Sequence, residues 1–200
     1  MTAPVSTSGD GLSDRPETWP VHDVEDVWRG GAPFAVRLDT LSAPSRPDET
    51  FSRLVIEHPG AVIILAVDDQ ERALVLEQYR HPVSARLVEL PAGLLDVEGE
   101  DPLVAAKREL REEGLVVAER WTHLVTTYSS PGITGERIHY FLAEGLSEAS
   151  DRGDFEPEHE EADMTVSWVP VSELFQAVRE GRVQDGPLTQ ALMAHRLLRD

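Results

Sequence analysis

Three glutamates stand close together in the run Lys107-Arg108-Glu109-Leu110-Arg111-Glu112-Glu113. Residues three and four apart share a face of an α-helix, so a helix here crowds Glu109, Glu112 and Glu113 together. Like charges at that spacing oppose the helix by ~0.2–0.5 kcal/mol per pair. A divalent hard cation held by several carboxylates offsets that cost, and oxygen-only donors suit Mg²⁺ or Mn²⁺. Taken alone, the same glutamates also read as a solvated acidic face with Arg108 and Arg111 as local partners.

The helix itself is well signalled. Asp101-Pro102 supplies an N-cap and a proline at the first helical position. Leu103, Ala106 and Leu110 recur at helical spacing, which places the glutamates opposite that stripe, and Gly114 is the expected stop. Ahead of it stand Glu89-Leu90-Pro91-Ala92-Gly93-Leu94-Leu95-Asp96 and Gly99-Glu100.

This segment resembles the Nudix box. In that family a Gly is followed by a Glu, seven residues, and Arg-Glu-aliphatic-X-Glu-Glu-X-Gly-aliphatic. The matching positions are Gly93, Glu100, Arg108, Glu109, Leu110, Glu112, Glu113, Gly114 and Leu115. The chain departs from the pattern twice. Six residues rather than five separate Gly93 from Glu100, an insertion in a loop. One residue is also missing between Glu113 and Gly114, so the helix is expected to end sooner and to tilt Glu113.

The similarity runs over roughly residues 24 to 195 and extends beyond the box. Gln78-Tyr79-Arg80-His81-Pro82 and the Glu89–Gly93 run look like the approach to the box in ADP-ribose pyrophosphatases. Pro131, in Ser129-Ser130-Pro131-Gly132, stands about where that subfamily carries a proline; read alone, the four residues are a turn.

The resemblance implies roles. Glu109, Glu113 and the backbone carbonyl of Ala92 would hold metal, with Glu112 a further ligand or a tuning group. Gly93, Glu100 and Arg108 would support the site. The general base lies outside the box in this subfamily. Here Glu160 and Glu161, in Glu158-His159-Glu160-Glu161-Ala162-Asp163, are the candidates, and the sequence does not choose between them. Arg80 and Arg53 match substrate-contacting positions; each also reads as a surface arginine. Trp28 is a candidate to stack on an adenine, or equally a packing residue.

The remaining elements must position these groups. Val24–Trp28, Phe34–Leu38 and Phe51–Glu57 read as short strands, with a break at Ser42–Glu49. Ala61–Val67 and Ala73–Tyr79 read as a hairpin across 68–72, and Leu87–Leu90 as a short strand. Val116–Tyr128, Arg137–Ala143 and Thr165–Val169 follow as strands, with an acidic loop at 144–163. Val171–Glu180 and Pro187–Leu198 read as helices. Mixed strands and helices predict an α/β (α+β) fold, with a sheet between helices. The resemblance sharpens this to a Nudix α/β/α sandwich with a mixed sheet and a small N-terminal β subdomain. The expected division is a mobile tail (1–19), a β subdomain that pairs the chain as a homodimer (20–57) and a Nudix hydrolase domain (58–200).

Composition narrows the partners. A net charge of −19, from 37 acids against 18 bases, repels phosphate backbones and argues against nucleic acid. An anionic substrate must then be met by cations or by placed arginines. Neither a spanning apolar run nor a secretory start is visible, so no membrane association and a cytoplasmic setting are expected. With no Cys, neither disulfides nor thiolate metal sites arise. The expected reaction is Mg²⁺-dependent hydrolysis of ADP-ribose to AMP and ribose 5-phosphate. The alternatives are another nucleoside diphosphate derivative, such as a nucleotide sugar or a dinucleotide, and a Nudix module that binds ADP-ribose without cleaving it.

Overall fold

The structure is a computed structural model, which describes residues 12–31, 33–153 and 163–199. Ten strands and three helices are assigned among them: β1 (Val21–Arg29), β2 (Ala35–Ala43), β3 (Arg46–Glu57), β4 (Ala61–Ala66), β5 (Arg72–Arg80), β6 (Ala85–Glu89), β7 (Ala92–Leu94), α1 (Pro102–Gly114), β8 (Val116–Tyr128), β9 (Arg137–Glu148), β10 (Thr165–Pro170), α2 (Val171–Arg179) and α3 (Gly186–Arg199).

β4 organises the core. Every one of its residues is buried, as its continuous apolar run demands. Val62, Ile64 and Ala66 pack with Ala105, Ala106 and Leu110 of α1. Ala61, Ile63 and Leu65 pack on the opposite side with Leu174 of α2 and Leu188 and Leu192 of α3. The four-stranded sheet β7-β4-β9-β8 is mixed, with β4 parallel to β9 and antiparallel to β7. Helices on both faces make the expected α/β/α sandwich. β10, β5 and β6 form an antiparallel sheet, and β1, β2 and β3 form another. Isolated backbone bonds, such as Ile56 N–H to the Ile133 carbonyl at 2.8 Å, join β3 to the turn before β9.

Besides the expected hairpin of β4 and β5, which instead lie in different sheets and meet at the single Val67–Ala73 bridge among the described residues, four sequence expectations change. The expected break at Ser42–Glu49 is a tight turn at Pro44-Ser45, with β2 and β3 running up to it from either side. The expected loop from residue 144 begins later, because β9 pairs with β8 as far as Glu148. Gly145, at φ 66°, carries the strand past a point that other side chains adopt at a cost.

The third change concerns the end of α1. The helix is not cut short. It runs through Gly114, and Leu115 takes the left-handed position at φ 52°, its N–H bonded to the Arg111 carbonyl. Gly114 is needed for packing instead: a Cβ there would stand 2.5 Å from Leu74 Cδ2. The motif's left-handed glycine position is filled by Leu115, and no residue is missing from the helix. The fourth change follows from α1's position. Glu109 and Glu113 lie not opposite the apolar stripe but on its flank, each buried to 8% exposure.

Candidate functional site

A cleft of about 640 Å³ opens beside α1. Its floor is β7 on the edge of β4, and α1 supplies one wall. Phe34, His58, Arg80, Ala92, Glu109 and Glu113 are among the residues lining it. β7 fixes the approach of α1 because Gly93 has no side chain. A Cβ on Gly93 would meet the Glu109 carboxyl carbon at 2.1 Å. On the other turn of the helix, Glu113 Oε2 accepts the Ala92 N–H at 2.9 Å. Sequence spacing alone predicts that these glutamates share a side; the strand explains why they are buried.

Arg108 gathers the remaining carboxylates. Its Nη1 donates to Glu109 at 2.7 Å and to Glu112 at 3.1 Å. Its Nε and Nη2 fork onto Glu100 at 3.3 and 3.1 Å. These partners hold the guanidinium well above its ordinary pKa, the Glu100 bonds contributing most. Burial pushes the Glu109 carboxyl up to about 7, against the pull of Arg108 and with help from Glu112 and Glu100. The charged form of Glu109 is therefore held at a cost that a nearby cation would relieve.

Arg80 faces the same cleft from the end of β5. Its Nε and Nη2 donate to both oxygens of Glu89, at 2.8 and 2.6 Å, which orients the fork and leaves Nη1 outside the pair. Glu136 stands across the cleft, its Oε1 3.4 Å from His58 Nε2, and accepts from the Ser129 hydroxyl. His58 in turn lies 5.0 Å, ring to ring, from Phe34.

Other expected residues lie elsewhere. Arg53 is on β3, its guanidinium 4.4 Å above the Phe51 ring, and Trp28 is on β1, half-exposed with its ring over Gly30. Neither reaches the cleft of its own chain. Pro131 is in an exposed turn closed by Ile133 N–H to Ser130 O, beside the bond to β3. That turn leads to Glu136, and Pro131 itself does not line the cleft. Glu160 and Glu161 lie outside the described residues, as does most of the tail.

Comparison with known proteins places the chain. A family model described as the NUDIX domain matches residues 57–192. The chain belongs to the Nudix family. The ADP-ribose pyrophosphatase of Mycobacterium tuberculosis is 44% identical over 166 residues, covering 81% of this chain and 78% of that protein. The methanol dehydrogenase activator of Bacillus methanolicus is 34% identical over 155 residues, covering 78% and 80%. A solved structure of an ADP compounds hydrolase superposes with a TM-score of 0.75, covering 93% of this chain and 96% of that one. At 22% identity, that likeness shows the fold.

The Nudix box is thus the helix α1 with the β7 strand that it covers. Its donors are all oxygen, which fits a hard divalent cation. Among the described residues, no three carboxylates or imidazoles form a ready cage. Arg108 is bonded to three of the acids that would contribute. The fit rests on Glu109, whose burial raises its pKa, and on Glu113 and Ala92 beside it.

Sequence reasoning missed several lining residues. Phe34, His58, Gln78, Glu89 and Glu136 lie outside the box, on strand ends or loops that only the fold brings together. Their one prior signal was position: Gln78 and Glu89 flank the Arg80 and Gly93 segments that the family resemblance picks out.

Proposed function

We propose that this Nudix hydrolase cleaves the pyrophosphate of ADP-ribose to give AMP and ribose 5-phosphate. The observation that carries the reading is the Glu109–Gly93 packing, which seats one carboxylate of the box in the floor of a nucleotide-sized cleft. The relative from Mycobacterium tuberculosis, named as an ADP-ribose pyrophosphatase, supports the substrate.

Glu109, Glu113 and the Ala92 carbonyl would hold Mg²⁺, or Mn²⁺ in its place, with Glu112 adding to the set. Bound there, the cation offsets charge on the diphosphate and lowers the pKa of the attacking water. Arg80, held by Glu89, offers Nη1 to a phosphate oxygen. Arg108 and Glu100 orient the acids, and Gly93 lets Glu109 reach its place. Phe34 and His58 give the cleft an aromatic side for the base. Glu161 or Glu160 takes the proton from the attacking water. A helix ending early would have favoured binding without cleavage, but α1 runs through Gly114.

β1 to β3, within residues 20–57, serve as a dimerisation subdomain. Val21, Val24, Val27 and Trp28 each stand at least half-exposed on β1. A second copy of the chain would cover them, and would bring Arg53 and Trp28 to its partner's cleft. The chain acts on a small molecule in the cytoplasm, apart from nucleic acid and membranes. Its strong negative charge supports this, and no described helix is long and apolar enough to cross a membrane.

A substrate panel tests the reading. The purified protein is given ADP-ribose, a hexose-bearing nucleotide sugar and a dinucleoside diphosphate, each with Mg²⁺. Fastest turnover of ADP-ribose supports it. Preference for either of the others moves the enzyme to that substrate.

A further inference from the structure

The cleft does not end at Arg80. A second cavity of about 320 Å³ continues from it, sharing Ile63, Arg80, Ala92 and Pro187 with the first. Its outer wall is apolar, formed by Pro82, Val83, Leu87 and Leu90. One acceptor faces it. Asp185 precedes α3, and its Oδ1 takes the Leu188 N–H at 2.7 Å. Among the described residues, Oδ2 accepts no hydrogen bond. Glu89, the other carboxylate of this annex, is occupied on both oxygens by Arg80.

The chemistry of such a space is selective. An apolar wall with a free carboxylate oxygen suits a neutral ring that has C–H faces and hydroxyl donors. It disfavours a further phosphate, which Asp185 and Glu89 would repel. The larger cavity holds the aromatic pair Phe34 and His58, and Arg80 stands between the two spaces. A diphosphate at Arg80 and the box would therefore send its nucleoside toward Phe34 and its other substituent into the annex.

We propose that the annex is the subsite for the sugar beyond the diphosphate, and that Asp185 Oδ2 fixes specificity by accepting hydrogen bonds from its hydroxyls. The inference rests on the reading of the cleft as a nucleoside diphosphate site. Asp185 also caps α3, so the test must separate capping from recognition. Asn and Ser cap helices as well as Asp does, but neither carries a carboxylate.

The experiment compares kcat/KM for ADP-ribose and for the methyl ester of ADP, which has the same charge and no second sugar. In the wild type the ratio is expected to favour ADP-ribose by about tenfold, the scale of a hydrogen bond to a charged acceptor. In Asp185→Asn and Asp185→Ser the ratio falls toward one, with a melting temperature near the wild type's. Val83→Trp, which fills the annex from a position 59% exposed, raises KM for ADP-ribose more than for the methyl ester. An unchanged ratio in the Asp185 variants overturns the subsite and leaves the enzyme assignment standing. Cleavage of neither compound by the wild type overturns both.

Discussion

The Glu109 carboxyl carbon lies 2.1 Å from where a Cβ on Gly93 would stand. The absence of a side chain at Gly93 of β7 is what lets Glu109 of α1 enter the cleft. Gly93→Ala must push Glu109 aside, since the obstacle is the end of a flexible side chain and not backbone. Turnover is expected to fall by roughly 10²-fold, about 3 kcal/mol of barrier, with the far-UV circular dichroism unchanged. Near-normal kcat would place Glu109 outside the reaction.

Glu113→Gln keeps the volume and a hydrogen-bonding oxygen for the Ala92 N–H, while removing the charge. It should lower kcat by about 10²-fold or more with little change in melting temperature. Steady-state kinetics across a Mg²⁺ titration check this. Rescue at high Mg²⁺ would identify weakened metal binding as the defect.

Arg108 bonds Glu100, Glu109 and Glu112 at once. Arg108→Ala leaves three acids facing one another without their shared partner. The variant should lose activity and lose about 1–3 kcal/mol of stability, because a part-buried carboxylate is left uncompensated. Divalent cation should restore more of its melting temperature than of the wild type's. Equal shifts in both proteins would show that cation and guanidinium do not share these acids.

Leu115 holds φ 52°, a conformation that costs a residue with a Cβ about 1–2 kcal/mol. Leu115→Gly removes that strain at a position 37% exposed. The melting temperature should rise by about 2–4 °C in thermal unfolding. A fall would mean that the Leu115 side chain contributes more by packing than its backbone costs.

His195 is 3% exposed, and its Nε2 has no hydrogen-bond partner. Burial pulls its pKa below 6.5, helped by Arg199 and opposed by Glu71 and Glu144. A histidine depressed in the fold protects above its unfolded pKa and loses that contribution as pH falls. His195 should therefore contribute a loss of stability as pH falls from 7.5 to 5.5, with one proton's slope of at most about 1.4 kcal/mol per pH unit. In thermal unfolding, His195→Leu should remove that loss, so that the variant gains stability relative to the wild type as pH falls. The comparison must be made as a difference, because Glu109 and Asp185 act in the opposite sense: burial lifts their carboxyls to about 7 and about 6. An identical pH dependence in both proteins would remove His195 as a contributor.

The layering of the fold was legible because β4 is an unbroken apolar run and α1 has an N-cap, a proline and a helical stripe. The acids of the box were legible for the same reason: helical spacing is a local property. The end of α1 was misread because a glycine was taken for the residue with positive φ, whereas Gly114 answers to Leu74, a contact that no local pattern encodes. The extent of β9 was hidden by its acidic residues, since pairing with β8 and not composition decides it. Arg53 and Trp28 matched by position, yet sit on a separate sheet, where a single chain cannot bring them to the cleft. Phe34, Glu136 and Asp185 come from segments far apart in sequence, so only the folded chain shows them at one cleft and its annex.

The central claim is metal-dependent hydrolysis at the α1 carboxylates. The most direct measurement incubates wild type and Glu109→Gln with ADP-ribose and Mg²⁺, with and without EDTA, and separates the products by chromatography. The account predicts AMP and ribose 5-phosphate from the wild type only when metal is present, and little or none from the variant. Equal product from both proteins, or product that survives EDTA, would contradict it.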